Sequence, residues 1–105
     1  AKASQRKLTG YVMDDSTIRT AVAAWFDDKN AAEATYGHIS TWNTRYVTDM
    51  SELFEDASSF NEDIGAWDTS GVTEMRWMFY EASAFNHDIG AWDDSRVKWM
   101  DYIFN

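Results

Sequence analysis

The chain contains a tandem repeat of 25 residues, and this repeat limits the folds open to it. Residues 42–66 read WNTRYVTDMSELFEDASSFNEDIGA and residues 67–91 read WDTSGVTEMRWMFYEASAFNHDIGA, and the two align without a gap. Fourteen of the twenty-five positions are identical, whereas unrelated segments of ordinary composition would share about one or two. A third copy begins on schedule at Trp92 as WDDSRVKWMDYIFN. A unit this short cannot bury its apolar side alone, so the copies are expected to stack around a shared core.

The spacing within one repeat predicts a helix and a short strand. Apolar residues from Val72 to Ala82 recur every three or four positions, which indicates a helix with one apolar face. Residues 64–67 predict a short strand, and residues 83–88 are polar enough for a return loop. The predicted fold class is therefore α/β, a short right-handed solenoid of leucine-rich-repeat-like strand-helix units. Equivalent residues should form columns through the core: Trp42/Trp67/Trp92, Val47/Val72/Val97, Met50/Met75/Met100, Phe54/Phe79/Phe104, Phe60/Phe85 and Ile39/Ile64/Ile89.

The segment before the array differs in kind and predicts a helical cap. Ser16 is a suitable N-cap for a helix whose apolar residues, from Ile18 to Phe26, fall at helical spacing, and Gly37 is placed to end a second helical turn. Terminal repeats need such a covering element because an uncovered end exposes the core. We expect one domain over residues 1–105, with an N-terminal arm at 1–13, the helical cap at 14–35 and the repeat array at 36–105.

The second repeat carries a pattern that is similar to a known family. The pattern W-D-T-S-x-V-T-x-M-x-x-M-F-x-x-A-x-x-F-N-x-D-I-G-x-W, from Trp67 to Trp92, resembles the repeat of BspA-type leucine-rich-repeat-like surface proteins. The resemblance covers residues 36–105. It implies a repeat scaffold of bacterial and mycoplasma surface proteins and of proteins from unicellular eukaryotes, associated with adhesion or protein binding and not with catalysis. The sequence departs from the pattern at Asn43, at Asp94 and at the Arg45–Tyr46 pair, which affects local turns.

Composition disfavours several classes of partner and chemistry. The chain carries 18 acidic against 9 basic residues, a net charge of −9, which disfavours binding to nucleic acids and to anionic membrane surfaces. No apolar run approaches the roughly 18 residues of a membrane span. The absence of Cys removes disulfides and thiolate chemistry. His38 and His87 are the only histidines and neither lies in a recognisable motif, so we predict that the chain is not an enzyme and uses no cofactor.

Stacking would bring aspartates of successive repeats together, which raises the question of a metal site. Asp63 would lie near Asp88, and Asp68 near Asp93, at roughly 5 Å, and such paired carboxylates could hold calcium. The chain lacks a defined ligand loop, however, and an Asp beside a turn or helix start is favoured for capping backbone amides. We therefore predict no metal site.

Outward-facing positions change from charged to aromatic along the array. On a helix with Val72 facing inward, Trp77 would face solvent, and its equivalent in the first repeat is Glu52. Exposed aromatic patches commonly mark interfaces, unless the rings fold back on their neighbours. The third copy also presents an apolar flank that needs a cover, whether further chain, a partner or a second copy. The predicted partner-binding residues are Trp77, Tyr80, Trp99, Tyr102, Ile103 and Phe104.

These features together predict a non-enzymatic protein-protein interaction module, an adhesion or surface-type repeat scaffold. Its expected partner is a protein or a larger assembly, with self-association through the C-terminal end as one form. The alternative is a small structural accessory subunit bound within a larger assembly, organellar assemblies included, and a third is a carbohydrate-binding module. The resemblance implies the cell surface or the extracellular space, whereas the subunit alternative points to an organelle.

Overall fold

Two short helices precede the repeats, and the repeats themselves are built from turns. The computed structural model describes residues 10–100 and 103–104. Helix α1 spans Asp15–Asp27, helix α2 spans Lys29–Tyr36, and one turn of 3-10 helix spans Ile39–Thr41. The remaining backbone pairing in this part of the chain includes three isolated parallel β-bridges: Val12 with Asn43, Asp49 with Glu74, and Glu74 with Trp99.

Capping residues define where the two helices begin and end. Asp14, and not the predicted Ser16, is the N-cap of α1, and its carboxylate accepts hydrogen bonds from the amides of Ser16 and Thr17 at 3.0 and 2.7 Å. Asp28 ends α1 and also caps α2 by accepting from an amide of its first turn at 3.2 Å. Gly37 ends α2 as the sequence predicts, at a φ of 80° that suits a residue without a Cβ atom.

The three repeats stack as coils, which we number coil 1 (residues 42–66), coil 2 (67–91) and coil 3 (92–105). Backbone hydrogen bonds recur at equivalent positions of successive coils. The amide of Met50 donates to the carbonyl of Glu74 at 2.9 Å, and the amide of Met75 donates to the carbonyl of Trp99 at the same distance. The coils are therefore held in register by their backbones, one repeat apart.

Aromatic side chains also form columns across the coils. The rings of Phe54, Phe79 and Phe104 lie nearly parallel, with successive centroids 5.7 and 5.3 Å apart. The indole N–H of Trp67 donates to the carbonyl of Ile39 at 2.8 Å, and the equivalent bond recurs one repeat later at 3.1 Å. At these positions the predicted columns are present. Trp67 and Trp92 pack in their column and also donate a hydrogen bond to the preceding unit of the stack.

The first turn of α1 replaces the coil that would precede coil 1. Within the stack, the amide of Thr73 donates to the carbonyl of Thr48, and the amide of Lys98 donates to the carbonyl of Thr73, both at 2.8 Å. The amide of Thr48 has no earlier coil beside it, and it donates to the carboxylate of Asp15 at 2.6 Å. Asp15 thereby satisfies a backbone group at this end of the stack.

The apolar face of α1 completes the cover over coil 1. Trp25 packs edge-on against Trp42 with ring centroids 6.0 Å apart, and Phe26 packs against Phe54 at 6.4 Å. The fully or largely buried residues of α1 are Ile18, Ala21, Val22 and Trp25. This helix therefore closes the hydrophobic core as well as the hydrogen-bond ladder.

The predicted array of strand-helix units is wrong, because the described residues of the three coils form neither helices nor strands. Residues 72–82, predicted as a helix, form consecutive turns such as that from Met75 to Met78, closed by a hydrogen bond of 3.2 Å. Residues 64–67, predicted as a strand, form a single turn closed by a bond of 3.1 Å. The repeats are stacked turns and not α/β units.

Turns and a helix share the same apolar spacing, but the backbone angles of the repeats fit only turns. Consecutive turns also bring residues three apart to one side, so Met75 and Met78 are buried in either arrangement. Positive φ angles of 64° at Trp77 and 62° at Glu81 are incompatible with a right-handed helix. Between these two residues, the amide of Phe79 donates to the carbonyl of Ile103 in the next coil at 2.8 Å instead. Bonds between coils thus replace bonds within a helix.

We predict that Trp67→Phe lowers the free energy of unfolding by about 1–3 kcal/mol, because the Ile39 carbonyl loses the indole N–H and keeps only the longer bond of 3.4 Å from the amide of Trp42. Chemical denaturation followed by circular dichroism measures this loss. The matched control is Trp99→Phe, at a side chain that is 45% exposed, where the change should stay below about 0.5 kcal/mol. Equal losses in the two variants would contradict the role assigned to the buried indole.

Candidate functional site

Equivalent apolar residues become exposed from coil 1 to coil 3. Met50 is fully buried, whereas its coil 3 equivalent Met100 is 43% exposed. Phe54 and Phe79 are 0% and 1% exposed, whereas Phe104 is 54% exposed. The residue types are identical, so the difference comes from position in the stack: the next coil covers each of the first two, and no described residue covers the third.

The exposed side chains of Trp99, Met100 and Phe104, with the half-buried side chain of Ile103, define the part of coil 3 that we call the end face. Beside it lies a groove of about 230 Å³. The groove is lined by Met75, Ile89, Gly90, Trp92, Asp94, Met100, Ile103 and Phe104. Because the lining is mainly apolar, a ligand in this groove would remove hydrocarbon surface from water.

The backbone of coil 3 carries the groups that coils 1 and 2 use to bond the next coil. In each inner coil, the amides of a Met and a Phe donate to the following coil, and the carbonyl of a Thr accepts from it. The equivalents in coil 3 are the amides of Met100 and Phe104 and the carbonyl of Lys98. Within residues 10–100 and 103–104 these three groups have no hydrogen-bond partner. The end face therefore offers directional bonds as well as apolar area.

The predicted partner-binding residues fall into two groups. Trp99, Ile103 and Phe104 belong to the end face, while Tyr102 lies outside the described residues. Trp77 and Tyr80 form a separate edge-to-face pair with ring centroids 4.8 Å apart. Both rings are half-buried, and Trp77 lies in a turn with a φ of 64°, not in the helix from which its exposure was predicted.

Sequence reasoning missed the groove beside the end face. Ile89 and Trp92 line it and are half-buried, although the repeat pattern assigned both to core columns. The signal that could have identified them is their place as the last members of those columns. A residue in the last copy of a column is covered on one side only.

Carboxylates that could suggest catalysis or metal binding hold turns closed. Asp68 and Asp93 accept from the amides of Ser70 and Ser95, each at 3.0 Å. Asn43 accepts in the same way at 3.2 Å in coil 1, so this departure from the repeat pattern keeps the turn. Hydrogen bonds from the Ser70 side chain and amide lower the pKa of Asp68 below its ordinary value of 3.8, and Ser95 lowers the pKa of Asp93 likewise.

Both histidines are engaged in similar structural contacts. The Nδ1 atom of His38 accepts from the amide of Ser40 at 3.2 Å, just as Asp63 accepts from the amide two residues onward at 2.9 Å. The Nε2 atom of His87 lies 3.0 Å from the carbonyl oxygen of Asn61. These rings therefore contribute to the turns and to the contacts between coils.

The part of the chain that the structure describes contains neither a metal-binding cluster nor a membrane-spanning helix. No group of three or more His, Asp or Glu side chains in residues 10–100 and 103–104 is placed to hold a metal ion. Across the same residues, no helix has the length and apolar character needed to cross a bilayer. The end face is therefore the feature whose exposure, shape and bonding groups converge most clearly on binding.

Comparison with known proteins identifies a family but no curated relative. A family model described as "Mycoplasma protein of unknown function, DUF285" matches residues 20–105. No curated protein and no solved structure matches the chain. The match begins within α1 and extends over all three coils. Any function must therefore be argued from the surfaces of this chain.

Acid should destabilise the fold in part by protonating the carboxylates that close turns, such as that of Asp68. The folded-state pKa of Asp68 is lowered, so the stability it contributes is present above its unfolded pKa, near 3.8, and is lost as the pH falls through the folded value. We predict that the melting temperature falls between about pH 5 and pH 2 and that Asp68→Asn, which keeps the acceptor, reduces the fall. Thermal unfolding with Asp94→Asn as the matched control measures this effect. Identical pH profiles for the two variants would contradict it.

Proposed function

We propose that this chain, which belongs to the Mycoplasma DUF285 family of unknown function, is a non-enzymatic protein-interaction module. The observation that carries the proposal is the exposure of one column, in which Phe54 is fully buried and Phe104 is 54% exposed. The mechanism is rigid display: α1 covers one end of the stack, and coil 3 carries the binding groups for a further coil at the other. The similarity of the repeat to BspA-type surface repeats supports an adhesion-type role.

The occupant proposed for the end face is a turn-rich protein segment that adds as a further coil. Such a segment would accept from the amides of Met100 and Phe104 and donate to the carbonyl of Lys98, as each coil does for the one before it. An aromatic side chain in this segment would extend the ring column beyond Phe104, where the spacing from Phe79 is 5.3 Å. Backbone bonds would supply affinity, and the groove would select side chains, as in the addition of a peptide to a sheet edge.

A second copy of this chain fits the end face poorly in a head-to-tail arrangement. The matching surface of coil 1 is already covered by α1, and Asp15 occupies the amide of Thr48 that would have to bond the end face. Head-to-tail growth would therefore require displacement of the helix. A partner that offers an uncovered turn-rich segment requires no such change.

A peptide with the sequence of residues 67–91, one complete repeat, is the probe for this surface. We predict saturable binding, measured as the anisotropy of a label on the peptide while the full chain is titrated in. Phe104→Asp should weaken binding by about tenfold or more, because it places a carboxylate in the apolar interface. The matched control is Tyr46→Asp, at a coil 1 ring that is 58% exposed, which should change the affinity less than about twofold.

Unchanged binding by Phe104→Asp would contradict the assignment of the end face. Light scattering of the full chain over about a tenfold range of concentration separates the remaining occupants. A monomer that binds the peptide supports an added coil. The other outcome is a dimer that forms with rising concentration, is dissociated by Phe104→Asp and does not bind the peptide. That result would show that the occupant is a second copy in a face-to-face arrangement and not the proposed partner.

A further inference from the structure

A larger groove lies at the other end of the stack, between α1 and coil 1. Its volume is about 460 Å³, within the range of roughly 300–1,000 Å³ found for ligand pockets. Phe26 remains 44% exposed, so part of an aromatic ring is available there. The apolar lining consists of Val22, Ala23, Phe26, Leu53 and Ala57. The groove is therefore a second apolar surface, separate from the end face.

Carboxylates give this groove a negative rim. Glu55 and Asp56 both line it, and partial burial together with the neighbouring carboxylates of Glu52 and Asp56 raises the pKa of Glu55 above its ordinary value of 4.5. Arg19 also lines the groove, but its guanidinium already pairs with Asp49 at 3.4 Å. Elsewhere in the described part of the chain, no Lys, Arg or His lies within ion-pair distance of Glu55 or Asp56. A cation would relieve this crowding of like charges.

Coil 2 shows that the fold does not require an acidic residue at the position of Glu55. The equivalent residue is Tyr80, yet the turn keeps its shape, with φ angles of 61° at Asp56 and 62° at the equivalent Glu81. The carboxylate of Glu55 is thus a property of coil 1, the coil that forms the groove with α1.

An adjoining groove shows how this fold places a cation between a ring and a carboxylate. It shares Phe26 with the larger groove and has a volume of about 230 Å³. There the Nζ atom of Lys29 lies 5.4 Å from the ring centroid of Trp25 and 2.7 Å from a carboxylate oxygen of Glu62. The larger groove contains a ring and carboxylates as well, but the cation must come from elsewhere.

We propose that the groove between α1 and coil 1 binds a basic segment of a protein partner, with an Arg or Lys side chain between the Phe26 ring and the carboxylates of Glu55 and Asp56. The aliphatic part of that side chain would lie along the apolar wall, which includes Val22 and Leu53, while its charge meets the rim. The net charge of −9 would attract such a segment at long range. This inference goes beyond the end face and does not depend on it.

The probe is an amidated Ala-Arg-Leu-Arg-Ala peptide with an uncharged fluorophore at its N-terminus. The full chain is titrated into the peptide at low salt, and the anisotropy of the fluorophore measures binding. We expect one saturable site that weakens as salt is added, and about fivefold weaker binding when citrulline replaces both arginines. Glu55→Gln should weaken binding of the Arg peptide by about fivefold. Glu55→Tyr, which introduces the coil 2 residue, should do the same while leaving the circular dichroism spectrum unchanged.

The matched control is Glu33→Gln, the same loss of charge at an exposed position on α2, which should alter the affinity less than about twofold. Equal weakening by Glu33→Gln and Glu55→Gln would overturn the proposal, because it would show attraction by net charge alone. Unchanged binding after Glu55→Gln would overturn it as well. Phe104→Asp should leave binding of this peptide unchanged, so the end face and the groove are tested independently.

Discussion

Backbone hydrogen bonds between neighbouring coils hold this fold together. The turns within one coil provide hydrogen bonds for only part of its backbone. Amides such as those of Met50 and Phe54 therefore donate to carbonyls of a neighbouring coil. The ring columns and the indole of Trp67 follow the same one-repeat register. Each coil therefore depends on a neighbour for hydrogen-bond partners, and the coils at the two ends of the stack each lack one neighbouring coil. At the first end, Asp15 and the apolar face of α1 supply what a preceding coil would have supplied.

The two ends consequently offer different partners different chemistry. Coil 3 presents apolar side chains next to backbone groups of fixed direction, a combination suited to a segment that continues the stack. The groove under α1 combines the partly exposed ring of Phe26 with the carboxylates of Glu55 and Asp56, a combination suited to a basic side chain. Five other acidic residues of the repeats hold turns closed instead: Asp49, Asp63, Asp68, Asp88 and Asp93.

Much of the stack follows from the sequence, because repetition reveals which residues are equivalent. The period, the Phe54/Phe79/Phe104 column and the end of α2 at Gly37 were all predictable. The local backbone was not, because a spacing of three residues buries Met75 and Met78 in turns as well as in a helix. The two grooves could not be predicted from the sequence either. The contact of α1 with coil 1 depends on tertiary packing between segments that share no repeat, and a period cannot specify it.

Amide hydrogen exchange measures whether each coil is held by backbone hydrogen bonds to the next. In the chain as it stands, the amides of Phe54 and Phe79 should exchange slowly and that of Phe104 quickly. Appending a copy of residues 81–105 after Asn105 adds a fourth coil in register, and the Phe104 amide should then become as protected as that of Phe79. Slow exchange at Phe104 before the extension, or fast exchange after it, would show that backbone bonds between coils do not hold the stack.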